Sequence, residues 1–75
     1  MAIKITDKQL EYIGYLLEKV FDPRNDLVEE YPVLKNYTLA QALQKISNYG
    51  LLAGQANSLI DELKRNNFSM LINIL

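Results

Sequence analysis

The first strong pattern in the chain is a helical spacing of apolar residues in its first third. At about 100° per residue, one side of such a helix is apolar and another side is acidic. The apolar side holds Leu10, Ile13, Leu17, Val20 and Phe21 with Gly14 at its edge, and the acidic side holds Asp7, Glu11 and Glu18. Thr6 and Gln9 have the spacing of a capping box, and Ile5 is placed to staple Leu10. We therefore predict an amphipathic helix of about four turns over residues 7–21.

A second, short helix is predicted over residues 23–31. Asp22 and Pro23 favour its start, since Asp is a preferred cap residue and proline is tolerated in the first helical turn. It should end before Pro32, because a proline disfavours helical geometry in the residue that precedes it. The apolar side of this helix is thin, with only Leu27 and Tyr31. Its acidic group consists of Asp26, Glu29 and Glu30.

Two further helices each carry an apolar stripe. Thr38 begins the third helix with a second capping box, and Gly50 ends it where a left-handed C-cap is favoured. Asn66 and Asn67 break the fourth helix. The predicted buried faces are Leu39, Ala42, Leu43 and Ile46 in the third helix and Ala56, Leu59, Ile60 and Leu63 in the fourth. With 75 residues, 49% of them apolar, the chain predicts an all-α fold, a bundle of four to five short helices in a single domain over residues 1–75.

The final segment, FSMLINIL, is mostly apolar, and it has three interpretations. The first is a last helix that fills the core of the bundle, since a core this small needs every apolar side chain. The second is a homodimer interface formed by Phe68, Met70, Leu71, Ile74 and Leu75. The third is a strand, because apolar residues alternate at both ends of the chain and could pair in a small sheet. These alternating residues are Ile3 and Ile5 near the start, and Met70, Ile72 and Ile74 near the end.

Composition argues against catalysis, metal binding and cofactor chemistry. The chain has no cysteine and no histidine, so thiolates and imidazoles are absent as ligands, nucleophiles and bases. Its adjacent carboxylates, such as Glu29 and Glu30, point about 100° apart on a helix, and no phosphate-binding glycine pattern is present. We therefore expect no enzyme, no metal and no cofactor.

Charge and hydropathy limit the partners. A net charge of −1 gives no long-range attraction to phosphate, so duplex nucleic acid is an unfavourable partner, while a local basic strip for single strands stays open. No stretch approaches the roughly 20 apolar residues of a membrane span, and the start lacks the apolar core of a signal peptide. We expect a cytoplasmic protein without membrane contact.

One surface of the first helix is a candidate binding face. Lys8, Tyr12, Tyr15 and Lys19 share the arc opposite the apolar side, so two phenol rings stand between two ammonium groups. Tyrosine is enriched in protein interfaces, and aromatic rings with lysines also stack and clamp single-stranded nucleic acid. The alternative is that the second helix or the tail covers one of the rings. The acidic group of the second helix is the next candidate for partner binding.

The chain also resembles a known family at both of its ends. The opening I-T-D-K-Q-L-E-Y-I and the later G-Q-A-N-S-L-I-D-E-L are similar to a short helical module of phage DNA-recombination and replication proteins. Departures from the pattern of that module are Leu52 in place of a threonine cap, Asn57 in place of a serine, and the extra acidic segment 22–31. By the resemblance, Thr6, Lys8 and Gln9 open the module, and Ala56, Leu59, Ile60, Asp61 and Leu63 form its closing helix.

The resemblance implies a small protein of phage or mobile-element origin. Together with the composition, it leads us to expect a non-catalytic protein that binds another macromolecule. We expect first that the partner is a protein of DNA metabolism or host defence, and that this chain acts on it as an adaptor or a stoichiometric inhibitor. Two alternatives remain open, a single-stranded nucleic-acid-binding accessory protein and a structural homo-oligomer that uses the apolar tail.

Overall fold

Helices account for most of the chain. The computed structural model describes residues 3–22, 24 and 27–75, with the backbone alone described at residues 27 and 28. The elements in these ranges are α1 (Asp7–Val20), α2 (Leu27–Glu30), a 3₁₀ helix (Pro32–Asn36), α3 (Leu39–Tyr49), α4 (Ala53–Lys64) and α5 (Ser69–Ile74). Within the same ranges the only strand-like pairing is one isolated antiparallel bridge between Lys4 and Leu52. The prediction of a small all-α bundle is confirmed.

The predicted capping boxes form at the starts of α1 and α3. Thr6 Oγ1 accepts a hydrogen bond from the Gln9 amide at 3.1 Å, and Gln9 Oε1 accepts one from the Thr6 amide at 3.0 Å. Thr38 and Gln41 repeat this arrangement at 3.2 and 2.9 Å. Each box satisfies two amides that the first helical turn leaves without an intrahelical partner. Gly50 takes the left-handed conformation predicted for it, with φ +84°.

The region between α1 and α3 differs most from the prediction. Helix α1 ends at Val20, one residue before the predicted end, and α2 covers only part of the predicted helix 23–31. Residues 23, 25 and 26 of that prediction, including Asp26, lie outside the described residues. The 3₁₀ helix that follows was not predicted. Its signal in the sequence is Pro32. A proline not only ends the preceding helix but also, through its fixed φ, suits the first position of the next one.

The core lies between α1, α3 and α4. Helix α1 packs against α3 and α4, and α5 packs against α3 and α4. The buried apolar side chains, in chain order, are Ile13, Leu17, Val20, Leu34, Ala42, Ile46, Leu51, Ala56, Leu59, Ile60, Leu63, Phe68, Leu71 and Ile74. All four residues of the predicted stripe in α4 are among them. Of the predicted stripe in α3, Ala42 and Ile46 are buried and Leu39 and Leu43 are half-buried.

The apolar tail is the last helix of the bundle. In α5, Leu71 and Ile74 are buried together with Phe68, which precedes the helix, and Met70 and Leu75 are half-buried. The chain itself therefore covers the residues considered for a dimer interface, as the first interpretation of the tail predicts. The strand interpretation is wrong, because residues 69–74 are helical.

Polar and aromatic contacts hold the tail in place. The Tyr37 hydroxyl donates a hydrogen bond of 3.0 Å to the main-chain oxygen of Leu75. At the other end of α5, the amide of Met70 donates to Glu62 Oε1 at 3.3 Å. The Tyr31 and Phe68 rings meet edge to face, with centroids 5.6 Å apart. These contacts join α5 to α4 and to both ends of the 3₁₀ helix.

The extended residues at the start of the chain pair with the start of α4 instead of with the tail. The Ile5 amide donates to the Leu51 oxygen at 2.9 Å, and the Ala53 amide donates to the Ile3 oxygen at 2.6 Å. Leu52 has no side-chain acceptor, so it cannot cap α4 as a threonine would. The Ile3 carbonyl takes over part of that role, because it accepts from the first amide of α4.

Gln9 is more than a capping residue, because it also joins α1 to α4. Its Nε2 group donates to the Ala53 oxygen at 3.1 Å and to Asn57 Oδ1 at 2.9 Å. Gln41 occupies the same position of the other capping box, and the described residues give its side-chain amide no comparable bond to another helix. The two glutamines therefore form a matched pair, one with a bond between helices and one without.

We expect Gln9→Glu to lower the free energy of unfolding by about 1–2 kcal/mol, while Gln41→Glu leaves it nearly unchanged. Glutamate preserves the acceptor that the capping box requires, but it removes the donor that binds Ala53 and Asn57. Urea titrations of both variants followed by circular dichroism measure the difference. Equal stabilities of the two variants would contradict the role of Gln9 between the helices.

Candidate partner-binding surface

The outward face of α1 carries two exposed tyrosines. Tyr12 is 40% and Tyr15 is 59% exposed, and their ring centroids lie 6.4 Å apart at an interplanar angle of 42°. Each ring borders a groove, and the described residues of α2 and α5 line neither of these grooves. The arrangement is a ridge of two aromatic rings between two open grooves, here called the tyrosine ridge.

Tyr12 faces a groove between α1 and α4 with a volume of about 470 Å³. Lys64 of α4 places its Nζ atom 5.1 Å from the centroid of the Tyr12 ring, within the range of a cation–π interaction. Lys8 lines the same groove. The remaining lining residues are Gln9, Asn57, Ile60 and Asp61. We call this the Tyr12 groove, and its lining is mostly polar, with two ammonium groups and the carboxylate of Asp61.

Tyr15 faces a groove between α1 and α3 with a volume of about 480 Å³. This Tyr15 groove has an apolar floor made of Leu10, Gly14, Leu39 and Leu43. Its other lining residues, besides Tyr15, are the carboxylates Asp7, Glu11 and Glu18. No lysine or arginine is among these lining residues, so this side of the ridge is apolar and acidic.

Gly14 makes the floor of the Tyr15 groove. A Cβ atom at this position would lie 3.2 Å from Leu43 Cδ1, closer than ordinary van der Waals contact. The absence of a side chain therefore lets Leu43 of α3 pack directly over the backbone of α1.

The structure separates the four side chains that the sequence grouped together. Lys8 and Tyr12 border one groove, whereas Tyr15 borders the other. Lys19 is exposed and lines a third groove, near the junction of α4 and α5. Nothing in the sequence places Lys64 beside Tyr12, because only the packing of α4 brings it there. The acidic side of α1 was predicted, but not its position beside Tyr15, although Glu11 and Glu18 stand four residues before and three residues after Tyr15.

The predicted acidic group lies apart from the tyrosine ridge. Glu29 and Glu30 are exposed on α2, and neither lines the Tyr12 or the Tyr15 groove. Asp26 is outside the described residues. The described part of the chain thus has exposed carboxylates on α1 as well as on α2.

Other features of the described residues bear on what the surface can do. They contain no group of three or more histidine, cysteine, aspartate or glutamate side chains that could hold a metal ion. None of their helices is both long and apolar enough to cross a bilayer. Asp22 and Arg24 form an exposed ion pair of 3.1 Å, and the hydrogen bond from the Arg24 side chain lowers the pKa of Asp22 and raises that of Arg24.

The residues that carry the family resemblance serve the fold. Thr6 and Gln9 cap α1, and the closing helix of the resemblance is α4, whose Leu59 and Leu63 are buried. Four members of the set also line the Tyr12 groove, namely Lys8, Gln9, Ile60 and Asp61. Compared with models of known protein families, with curated proteins and with solved structures, the chain matches none of them.

Proposed function

We propose that this chain is a non-catalytic helical module that binds a partner protein through the tyrosine ridge of α1. The supporting observation is the pair of adjacent, exposed rings of Tyr12 and Tyr15 between two grooves. Tyrosine gives a large contact area with few rotatable bonds and is enriched where partners bury surface. Exposed aromatic rings beside concave surfaces are therefore suited to act as anchors in an interface.

The distribution of polar side chains supports a binding role over a catalytic one. Among the described residues no polar or charged side chain is buried. Catalytic acids, bases and nucleophiles commonly owe their shifted pKa values to burial and to close charged neighbours. The chain also has no histidine and no cysteine, which are frequent in such roles.

The class of partner is proposed from the family resemblance. A module like those of phage recombination and replication proteins would meet a protein of DNA metabolism or host defence in the host cytoplasm. A chain of 75 residues that is one small domain would act there by occupying a surface, as an adaptor or as a stoichiometric inhibitor.

We expect a Tyr12→Ala/Tyr15→Ala double variant to lose the partner that the wild-type chain captures from a host lysate. Removing two anchor rings costs an interface about 2 kcal/mol or more, which lowers affinity by a factor of about thirty. Affinity purification with quantitative mass spectrometry measures the loss. Tyr49→Ala is the matched control, because Tyr49 is as exposed as Tyr15, at 59%, but lies at the end of α3. Identical recoveries from the double variant and the wild type would contradict the proposal.

Single-stranded nucleic acid is the second candidate partner, and the Tyr12 groove favours it. Lys64 lies over the Tyr12 ring and Lys8 lines the same groove, so an aromatic ring and two ammonium groups are available there to stack a base and hold its phosphate. The carboxylates beside Tyr15 oppose a phosphate backbone on the other side of the ridge. Nuclease treatment of the lysate before the purification separates the two candidates. Loss of all captured material after that treatment would favour the nucleic acid.

A further inference from the structure

The Tyr15 groove combines an apolar floor with an acidic rim. Leu10, Leu39 and Leu43 are half-buried in the single chain, so their outer surfaces remain available to a partner. Gly14 between them is buried under Leu43, which packs directly on the backbone of α1. The floor therefore offers apolar surface that gains free energy when a second apolar surface covers it.

The rim carries negative charge along the length of the groove. Asp7, Glu11 and Glu18 are exposed, and within the described residues none of the three forms a salt bridge. From Asp7 to Glu18 the rim follows α1 over about 16 Å, at 1.5 Å per residue. The chain as a whole has a net charge of only −1, so the attraction of this groove for a cationic partner comes from the rim and not from the total charge.

We infer that the Tyr15 groove is the docking site for a basic amphipathic helix of the partner protein. This inference rests on the proposed function and specifies the chemistry of the partner. An apolar stripe on the helix covers the floor, and lysines or arginines on either side of the stripe meet the carboxylates of α1. Complementary charge of this kind fixes the register of a docked helix and accelerates its association.

A helix fits this groove better than an extended peptide. Both walls are α-helices, α1 and α3, whose backbone groups are already hydrogen-bonded along their length. An extended peptide could not bind there by strand addition, because the groove has no sheet edge with unpaired main-chain groups. A helix needs none, because its backbone satisfies itself and only its side chains contact the groove.

The test uses two synthetic peptides of the same length and leucine spacing. One peptide carries lysines beside a leucine stripe, and the other carries glutamates at the same positions. We expect the lysine peptide to bind the wild-type chain and the glutamate peptide to bind at least about tenfold more weakly. Fluorescence anisotropy measures both affinities, and amide chemical shifts locate the site, with changes expected at Gly14 and Leu43.

Charge reversal on the rim supplies the decisive variant. We expect Glu11→Lys/Glu18→Lys to weaken binding of the lysine peptide about tenfold or more, since two attractions become repulsions. The control is Gln44→Lys/Asn48→Lys, which also introduces two lysines at exposed positions, on α3 outside the groove. All four side chains are exposed, so both variants should keep the helical circular dichroism of the wild type.

Three results would overturn the inference. The first is that the lysine peptide does not bind. The second is that the rim and control variants weaken its binding equally, and the third is that the amide chemical shifts change mainly at Lys64 and Asn57 of the Tyr12 groove. Each of them leaves the lysate experiment on Tyr12 and Tyr15 unaffected, because a partner could still bind the tyrosine ridge through another surface. Identical recoveries from the Tyr12→Ala/Tyr15→Ala variant and the wild type, with a lysine peptide that binds as expected, would contradict the proposed function and leave the inference about the groove standing.

Discussion

Leu71→Asp should leave the chain unfolded at 25 °C. Leu71 is fully buried in α5, where α3 and α4 pack against the helix. Replacing a buried leucine by alanine alone costs about 2–5 kcal/mol, and a carboxylate without a partner in the same site costs more. A domain of this length has a total stability of only about 4–11 kcal/mol, at the usual stability per residue. The substitution should therefore remove most or all of the free energy of unfolding.

Circular dichroism at 222 nm and thermal scans measure the loss of helix. Asn73→Asp is the control, because Asn73 lies in the same helix and is exposed. A folded monomer with Leu71→Asp would contradict the packing of the tail in the core. It would instead support the interpretation of the tail as a dimer interface, which sedimentation of the wild type at several concentrations would then have to confirm.

Phe68→Ala should lower the free energy of unfolding by about 3–5 kcal/mol. Phe68 is 2% exposed, and its ring meets the ring of Tyr31 edge to face. The truncation leaves a cavity between the tail and the segment before the 3₁₀ helix, and it removes an aromatic pair that adds about 0.5–1.5 kcal/mol to the burial of the rings. The loss of free energy of unfolding should therefore exceed that caused by truncating another core side chain and leaving both rings intact.

Urea titration of Phe68→Ala gives this loss as a lower midpoint with an unchanged slope. Phe68→Leu is the matched variant, because it preserves most of the buried volume and loses only the ring pair and part of the apolar surface. A loss below about 1 kcal/mol for Phe68→Ala would contradict the burial of this ring.

The helices that the sequence predicted well are those with local signals. The two T-x-x-Q boxes mark the starts of α1 and α3, and Gly50 marks the end of α3. These signals are reliable because each involves bonds between residues three or four apart, which depend little on the rest of the fold. The stripe in α4 was equally clear, since its four apolar residues at helical spacing fall on one face of the helix.

The parts that the sequence did not predict depend on contacts between distant segments. Alternation at Ile3 and Ile5 suggested pairing with the tail, whereas these residues pair with residues 51–53, and nothing local specified that partner. The same limit applies to the candidate site. The tyrosine ridge follows from the spacing of α1 alone, whereas Lys64 reaches Tyr12 only because α4 packs beside α1.

The fold also accounts for the apolar character of the tail. A helix with apolar residues on most of its circumference must be covered on more than one side. Helix α5 lies against both α3 and α4, and the Tyr37 hydroxyl binds Leu75, the residue that follows the helix. Its six residues would not form a stable helix alone, so packing stabilises it.

Site-specific photo-crosslinking tests the central claim, that the partner contacts the tyrosine ridge, most directly. A photoreactive phenylalanine analogue replaces Tyr15 in one variant and Tyr49 in another, and each is irradiated in the host lysate. Because the two positions are equally exposed, they differ in location and not in access to solvent. We predict a crosslinked protein from position 15 and none from position 49. Crosslinks from position 49 alone, or from neither position, would contradict the account.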